Sequence, residues 1–98
     1  MVVWTVEFEW DLAKEHANIK KHGHTFSEAV EAFQDPTGVQ LIDKKHSGHE
    51  HRFYWVGKVA SGKILTVWFT KRANKIRIIG CAEWRKFRSL YYEAAKTE

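Results

Sequence analysis

Side chains suited to proton transfer and to binding an anion are spread along this sequence. Those able to accept or donate a proton near neutral pH are Glu9, Glu28, Glu50, His22 and His46. Arg72 and Arg77 are cations that could hold an oxyanion, whereas Ser47 and Cys81 lack the context that activates a nucleophile. Such a set is typical of a metal-free ribonuclease, in which the 2′-hydroxyl of the substrate attacks the phosphate. The alternative for each residue is a salt bridge or a helix cap, and for Glu28 a cap is preferred.

Basic residues form three groups along the chain. They are Lys14, Lys20, Lys21 and His22; Lys71, Arg72, Lys75 and Arg77; and Arg85, Lys86 and Arg88. Such cations bind phosphate backbones, and exposed aromatic side chains stack on unpaired bases. The alternative is a solvated charged surface over an aromatic core, and a net charge of only +4 favours that alternative when taken alone.

Histidines are dense in two stretches, His22 to His24 and His46 to His51. On a strand, His49 and His51 would share a face and could chelate a metal. The sequence has no His-Glu-x-x-His motif, and Cys81 is its one cysteine, so it has no Cys-x-x-Cys pair either. We therefore predict no metal and no cofactor, and a histidine-bound zinc is the alternative.

Two helices are predicted in the first third of the chain. Asp11 can cap a helix from Leu12 to about His22, which Gly23 would end. Thr25 to Glu28 then has the form of a capping box. The residues that follow place an apolar stripe on one helical face: Phe26, Ala29, Val30 and Phe33. Asp35 to Gly38 has the composition of a turn and ends this helix.

Strand patterns and a last helix complete the predicted fold. The strand-like segments are Val3 to Trp10, Val39 to Ile42, Arg52 to Ala60, Ile64 to Thr70 and Ile76 to Cys81. Short connections at Ser61-Gly62 and at Arg72 to Lys75 favour antiparallel neighbours. Trp84, Phe87 and Tyr91 repeat at helical spacing up to Ala94 and Ala95. The predicted fold class is α+β: a small antiparallel β-meander sheet with two N-terminal helices and a C-terminal helix, and with the helices on one side.

Length and composition limit the class of protein. A chain of 98 residues suffices for one domain, 1–98, with a core of its own. Five Trp, six Phe and three Tyr supply that core and exclude intrinsic disorder. No apolar run approaches the roughly 20 residues that a membrane helix needs. The start of the chain lacks the features of a secretion signal, and a single cysteine excludes a disulfide framework. These features predict a cytoplasmic protein with no membrane partner.

A longer pattern, spread over most of the chain, is similar to one known family. It begins with Phe8-Glu9-Trp10-Asp11, Lys14, Asn18, Lys21-His22-Gly23, Phe26-x-Glu28-Ala29, Phe33 and Asp35-Pro36. It continues with His46-Ser47, Glu50-x-Arg52, Gly57, Leu65 to Thr70, Arg72, Arg77-Ile78-Ile79 and Tyr92-Glu93. These residues resemble the BrnT toxin family.

The resemblance implies a RelE-like endoribonuclease toxin of a type II toxin–antitoxin system, which cleaves RNA and inhibits translation. Its partner would be a BrnA-like antitoxin with a ribbon-helix-helix part, and DNA would be bound only through that antitoxin. The fold implied for the family, a small antiparallel sheet with N-terminal helices and a C-terminal helix, agrees with the pattern above.

One segment departs from the family pattern. After Arg77-Ile78-Ile79 the family continues Ser-Ala-Arg and has a Glu in the last helix, whereas this chain has Gly80-Cys81-Ala82 and Arg88. If the missing Arg stabilises the phosphorane, its loss costs about 2.7–4 kcal/mol by analogy with an oxyanion-hole donor. Arg85 or Arg88 could replace it. The alternative function is a catalytically weakened BrnT-like protein that acts as an RNA- or antitoxin-binding module.

Roles for individual residues follow from their positions in the resemblance. Arg72 and Arg77 are predicted to bind the phosphate and the transition state, because guanidinium groups grip phosphates bidentately. His22 is the predicted proton carrier and Glu50 a reserve base. The predicted RNA-binding residues are Lys14, Lys21, Arg52, Arg85, Arg88 and Tyr92. Trp10 and Tyr91 are assigned to the core, with base stacking as the alternative for Trp10.

Overall fold

The computed structural model describes residues 7–45, 48 and 50–96. In chain order the elements are β1 (Glu7–Trp10), α1 (Leu12–His22), α2 (Phe26–Phe33), β2 (Val39–Asp43), β3 (Arg52–Lys58), β4 (Ile64–Arg72), β5 (Lys75–Ala82) and α3 (Arg85–Lys96). The predicted element order and the α+β class are confirmed. Residues 3–6 of the predicted first strand lie outside the described residues, and so do His46, Ser47 and His49.

The strands lie side by side in the order β1-β5-β4-β3-β2. The pairs β2–β3, β3–β4 and β4–β5 are antiparallel, as the short connections predicted. β1 instead pairs with β5 in parallel, so the prediction of a wholly antiparallel sheet is wrong. The physical reason is that α1 and α2 carry the chain from β1 to the far edge, and the meander then returns to β1 running in the same direction.

Helices lie on both faces of the sheet, whereas the sequence analysis placed them on one side. On one face Phe26 and Ala29 of α2 pack against Leu65 of β4. On the other face Tyr91 of α3 packs against Ile64, the neighbour of Leu65 in the chain. Successive strand residues point to opposite faces, and residues 64–67 are all buried, so both faces of β4 need a cover.

The helix ends match the predicted capping signals. The Asp11 carboxylate accepts the Ala13 N–H at 2.7 Å, and the N–H of Gly23, at φ 75°, donates to the Ile19 carbonyl at 2.8 Å. Thr25 and Glu28 form the capping box in both directions, which confirms the cap predicted for Glu28. No helix in the described ranges is long and apolar enough to cross a membrane.

The side chain of Asn18 seals the edge of β5 beyond the end of β1. It is buried, accepts the Cys81 N–H at 3.0 Å and donates to the Cys81 carbonyl at 3.0 Å. It also donates to the His24 carbonyl at 3.0 Å. The amide thus makes the hydrogen bonds that a neighbouring strand would make, and it fixes α1 beside the second half of β5.

Polar contacts attach α3 to the rest of the fold. The Tyr91 hydroxyl donates to Asp35 at 2.5 Å and lies 2.8 Å from the Thr37 hydroxyl. Burial alone would raise the pKa of Asp35, but hydrogen bonds from Tyr91, from the Lys58 N–H and from Thr37 lower that pKa to about 2. The carboxylate is therefore charged at neutral pH and holds the middle of α3 against the turn after α2.

Candidate functional site

A row of polar side chains crosses the sheet from edge to edge. The directly paired residues are Asp43 with Arg52, Arg52 with Thr70, Thr70 with Arg77, and Arg77 with Glu9. Directly paired residues share a face of a sheet, and this is the face on which α3 packs farther along the strands. Thr70 therefore stands at the centre, with an arginine on each side and a carboxylate beyond each arginine.

The middle of this row forms the floor of a cavity of about 320 Å³. The residues that line it are Lys14, Gly48, Glu50, Arg52, Thr70, Arg72, Arg77 and Ile79. We refer to these residues as the arginine groove. Lysine and arginine outnumber carboxylates among them, so the concave surface attracts an anion. The structure thus brings together the predicted residues Arg72, Arg77, Glu50, Lys14 and Arg52.

Carboxylates pair with the arginines of the groove. Arg72 donates twice to Glu50, at 2.9 and 3.1 Å, and an Arg77 nitrogen lies 3.7 Å from a Glu9 oxygen. The hydrogen bonds from Arg72 hold the pKa of Glu50 below its usual value, and Glu50 in turn raises the pKa of Arg72. The side chains of Arg72 and Glu50 are about half exposed, so their pair is weak enough for a ligand to separate.

An irregularity in the pairing of β4 and β5 shapes one end of the groove. Phe69 pairs with Ile78 and Trp68 pairs with Gly80, so Ile79 is an extra residue on β5. Ile79 consequently lines the groove together with Arg77. A Cβ atom on Gly80 would lie 2.3 Å from the Trp68 indole, so glycine at this position allows the indole to pack on the β5 backbone.

Ala82, where the resemblance predicts an arginine, is buried directly opposite Thr66. It lies outside the lining of the arginine groove. An arginine side chain at this position would have to enter the packed region between the sheet and α3. In this chain the position is therefore part of the core.

His22 lies at the end of α1, beside an aromatic stack and outside the lining of the groove. Its ring meets Trp68 edge to face at 5.8 Å, and Trp68 stacks on Trp84 at 4.8 Å with 7° between the planes. Burial, followed by the nearby Lys21 and His24, lowers the pKa of His22. His22 is therefore mostly neutral at pH 7 and suited to accept a proton.

The other predicted RNA-binding residues lie on exposed surfaces. Arg85 and Arg88 are exposed on α3, Lys21 is exposed near the end of α1, and Tyr92 is 40% exposed. None of these residues lines the arginine groove. Tyr91, in contrast, is buried as predicted.

Trp10 and Cys81 belong to the core. Trp10 packs against the main core cluster and meets Phe26 edge to face at 6.0 Å, which confirms the core assignment. Burial raises the pKa of the Cys81 thiol to about 12, so the thiol is not a nucleophile at neutral pH. Within the ranges 7–45, 48 and 50–96, no three His, Cys, Asp or Glu side chains converge as metal ligands would.

Sequence reasoning missed Thr70 and Ile79 as groove residues and Asn18 as the seal of the β5 edge. Thr70 is a threonine in an apolar strand, and its position between two arginines depends on strand register. Ile79 faces the groove because of the irregular pairing with β4. A polar Asn18 within a short amphipathic helix was the available signal for a buried amide.

Comparison with known proteins places these features in a family. A family model described as "Ribonuclease toxin, BrnT, of type II toxin-antitoxin system" matches residues 10–87. The crystal structure of the Brucella abortus ribonuclease toxin BrnT is similar in fold, with a TM-score of 0.63 and 20% sequence identity. The match covers 82% of this chain and 97% of the Brucella chain. No curated protein matches the sequence.

Proposed function

The chain belongs to the BrnT family of ribonuclease toxins of type II toxin–antitoxin systems, and on that premise we propose that it cleaves RNA in the arginine groove. The observation that carries the proposal is that Arg52, Thr70 and Arg77, which lie side by side on three strands, line one cavity together with Arg72. Clustered guanidinium groups of this kind suit a phosphodiester, because each can donate two parallel hydrogen bonds to phosphate oxygens.

We propose a reaction that needs no metal, because the nucleophile comes from the substrate. A base takes the proton from the 2′-hydroxyl, and the 2′-oxygen attacks the adjacent phosphorus. Arg72 and Arg77 stabilise the charge that develops on the phosphorane. An acid protonates the leaving 5′-oxygen, and the upstream product keeps a 2′,3′-cyclic phosphate.

Glu50 and His22 are the proposed proton carriers. Glu50 lines the groove and is charged at neutral pH, so it can accept the 2′-hydroxyl proton once the substrate phosphate replaces it as the partner of Arg72. His22, beside Trp68, is mostly neutral at pH 7 and is the other proposed base for the 2′-hydroxyl proton. The group that accepts this proton then returns it, as the acid, to the leaving 5′-oxygen. Lys14 and Arg52 contact the RNA within the groove, and Lys21, Arg85, Arg88 and Tyr92 contact it on the surrounding surface.

The proposed biological role is inhibition of translation in the cytoplasm, held in check by a BrnA-like antitoxin with a ribbon-helix-helix part. A type II system pairs its toxin with a protein antitoxin, and that pairing supports the proposal. Any contact with DNA would be made by the antitoxin. A second candidate, a module that binds RNA or the antitoxin without cleaving, is favoured by the burial of Ala82 where the family has arginine.

Cleavage of a long single-stranded RNA by the purified, antitoxin-free protein in EDTA tests the proposal. We expect wild type and Lys63→Ala to cut the RNA and leave 2′,3′-cyclic phosphate ends, because Lys63 lies outside the groove. Arg77→Ala, purified in the same way, should not cut. RNA that stays intact with wild type, together with tight RNA binding, would favour the binding module. Loss of activity in EDTA that zinc restores would refute the metal-free reaction.

A further inference from the structure

Two threonines on β4 have buried hydroxyls without partners. Thr66 is 1% exposed and Thr70 is 5% exposed, and in the described part of the chain neither Oγ1 atom has a hydrogen-bond partner. A buried hydroxyl without a partner destabilises the folded state, because the water it binds in the unfolded state is lost and not replaced. Each hydroxyl therefore calls for an explanation.

The surroundings of the two hydroxyls differ. Thr66 lies between Val56 and Ala82 of the neighbouring strands, on the part of the sheet that α3 covers. Thr70 lies between Arg52 and Arg77, on the floor of the arginine groove. Thr66 is surrounded by packing, whereas Thr70 faces a site that attracts anions.

The side chains directly opposite Thr70 on the two neighbouring strands offer no acceptor for its hydroxyl proton. A guanidinium group carries five N–H donors and no acceptor, so neither Arg52 nor Arg77 can accept the Thr70 O–H. A phosphate oxygen drawn between the two arginines would be such an acceptor. Adjacent strands lie about 4.8 Å apart, so the two arginines are rooted roughly 10 Å apart and leave room for one phosphate above Thr70.

We propose that Thr70 is a substrate-contacting residue of the arginine groove, whose hydroxyl donates to a non-bridging oxygen of the RNA phosphate that the arginines hold. This proposal rests on the proposed RNA-cleaving function. In the free protein the hydroxyl is shielded from solvent, so the phosphate reaches it when the long side chains above it shift. Arg72 and Glu50 line the same cavity as Thr70, and their half-exposed pair can separate to admit the phosphate.

Valine substitutions at the two sites form a matched pair, because valine keeps the shape of threonine and replaces the hydroxyl with a methyl group. The probe is a single-stranded RNA oligonucleotide with 2′-O-methyl groups, which cannot supply the nucleophile. Its dissociation constant is measured by fluorescence anisotropy, and the melting temperature Tm of each free protein is measured by thermal unfolding.

We expect Thr70→Val to raise the dissociation constant about tenfold, since it removes a hydrogen bond to a charged group. The same variant should raise Tm by roughly 4 °C, because a buried hydroxyl without a partner is gone. Thr66→Val should raise Tm similarly and leave the dissociation constant unchanged. If Thr70 had only a structural role, Thr70→Val would lower Tm and raise the dissociation constant. Weaker RNA binding together with a higher Tm therefore identifies a ligand contact.

The proposal is overturned if wild type binds the oligonucleotide and Thr70→Val binds it equally well, or if Thr70→Val lowers Tm.

If wild type does not bind the oligonucleotide, the proposed RNA function fails. Thermal unfolding with pyrophosphate then tests whether Thr70 contacts a phosphate anion. A Tm increase in wild type and Thr66→Val that is absent in Thr70→Val would uphold the contact. The same increase in all three proteins, or in none of them, would reject it.

Discussion

The face of the sheet that carries α3 has two halves with opposite properties, although the same strands build both. In the covered half, Tyr91 and Phe87 of α3 pack with Val56 and Ile64, and the buried Thr66 lies directly opposite Val56. In the open half, the arginine groove, Arg52, Thr70 and Arg77 lie farther along the same strands and line a cavity. The change occurs within one strand, since Thr66 and Thr70 are only four residues apart on β4.

The covered half is expected to stabilise the fold, and the open half is expected to bind and cleave RNA. The covered half gains from apolar burial and from the Tyr91–Asp35 contact, so changes there should alter the free energy of unfolding. The open half holds arginines on either side of a hydroxyl without an acceptor, so changes there should alter RNA binding and cleavage. Such a division is expected where a rigid sheet positions groups that do not stabilise it.

The largest expected effect is that of Arg77→Ala in the open half. The loss of a guanidinium that stabilises the phosphorane should lower the cleavage rate about 10²–10³-fold. The Arg77 side chain lies 3.7 Å from Glu9, and both are partly exposed, so loss of this contact should lower the melting temperature by only a few degrees. Initial rates and thermal unfolding of the same preparation measure both quantities. A cleavage rate within threefold of wild type would remove Arg77 from the mechanism.

The second prediction concerns acid stability in the covered half. The pKa of Asp35 is lowered to about 2 in the folded protein, so its carboxylate stabilises the fold above pH 4 and the benefit disappears as the pH falls from about 4 to 2. The contribution at neutral pH is about 2 kcal/mol. We expect Asp35→Asn to unfold at lower urea concentration at pH 7, with the difference from wild type shrinking towards pH 2.

RNA cleavage at pH 7 is the control for this variant, since Asp35 lies outside the groove. At a temperature where both proteins are folded, the rate should match that of wild type. Cleavage that falls in proportion to the loss of stability would mean that the two halves are not independent.

The third prediction concerns the salt dependence of RNA binding and the contribution of Arg72 to it. RNA binding should weaken steeply as salt rises, because phosphate contacts release counterions. For single-stranded RNA, Arg72→Ala should reduce the slope of log K against log salt concentration by about 0.7. Equal slopes for wild type and Arg72→Ala, measured by anisotropy over a salt series, would show that Arg72 makes no phosphate contact.

The smallest effects are expected on the outer surface of α3. Arg85 and Arg88 are exposed and lie outside the groove, so alanine at either position should weaken RNA binding by about twofold at moderate salt. If Arg88→Ala instead abolishes cleavage, Arg88 has taken the place of the family's missing arginine, and the site extends onto α3.

The helices and the order of the elements could be predicted from the sequence because their signals are local. Asp11, Thr25 and Gly23 act within a few residues of themselves, and all three have the predicted roles. The parallel pairing of β1 with β5 and the position of α3 on the opposite face depend on contacts between distant segments. The nearly continuous apolar run from Ile64 to Phe69 was the sequence signal for a strand that is covered on both faces.

Only some of the residues of the arginine groove could be predicted from the sequence. Arg72, Arg77 and Glu50 were predicted as site residues, and the structure places all three in the groove. The role of Thr70 was not predicted, because a shift of one residue in register would turn it to the other face. His22 was predicted as the proton carrier, and its contact with Trp68 could not be predicted because the indole packs where Gly80 leaves space on the next strand.

The most direct test of the division between the two halves is a titration of the ¹⁵N-labelled protein with the 2′-O-methyl RNA oligonucleotide, followed by backbone amide NMR. We predict chemical-shift changes at Arg52, Thr70 and Arg77, together with unchanged signals at Val56, Ile64 and Thr66 beneath α3. Changes confined to the covered half or to the outer surface of α3, with none at Thr70 and Arg77, would contradict the assignment of RNA binding to the arginine groove.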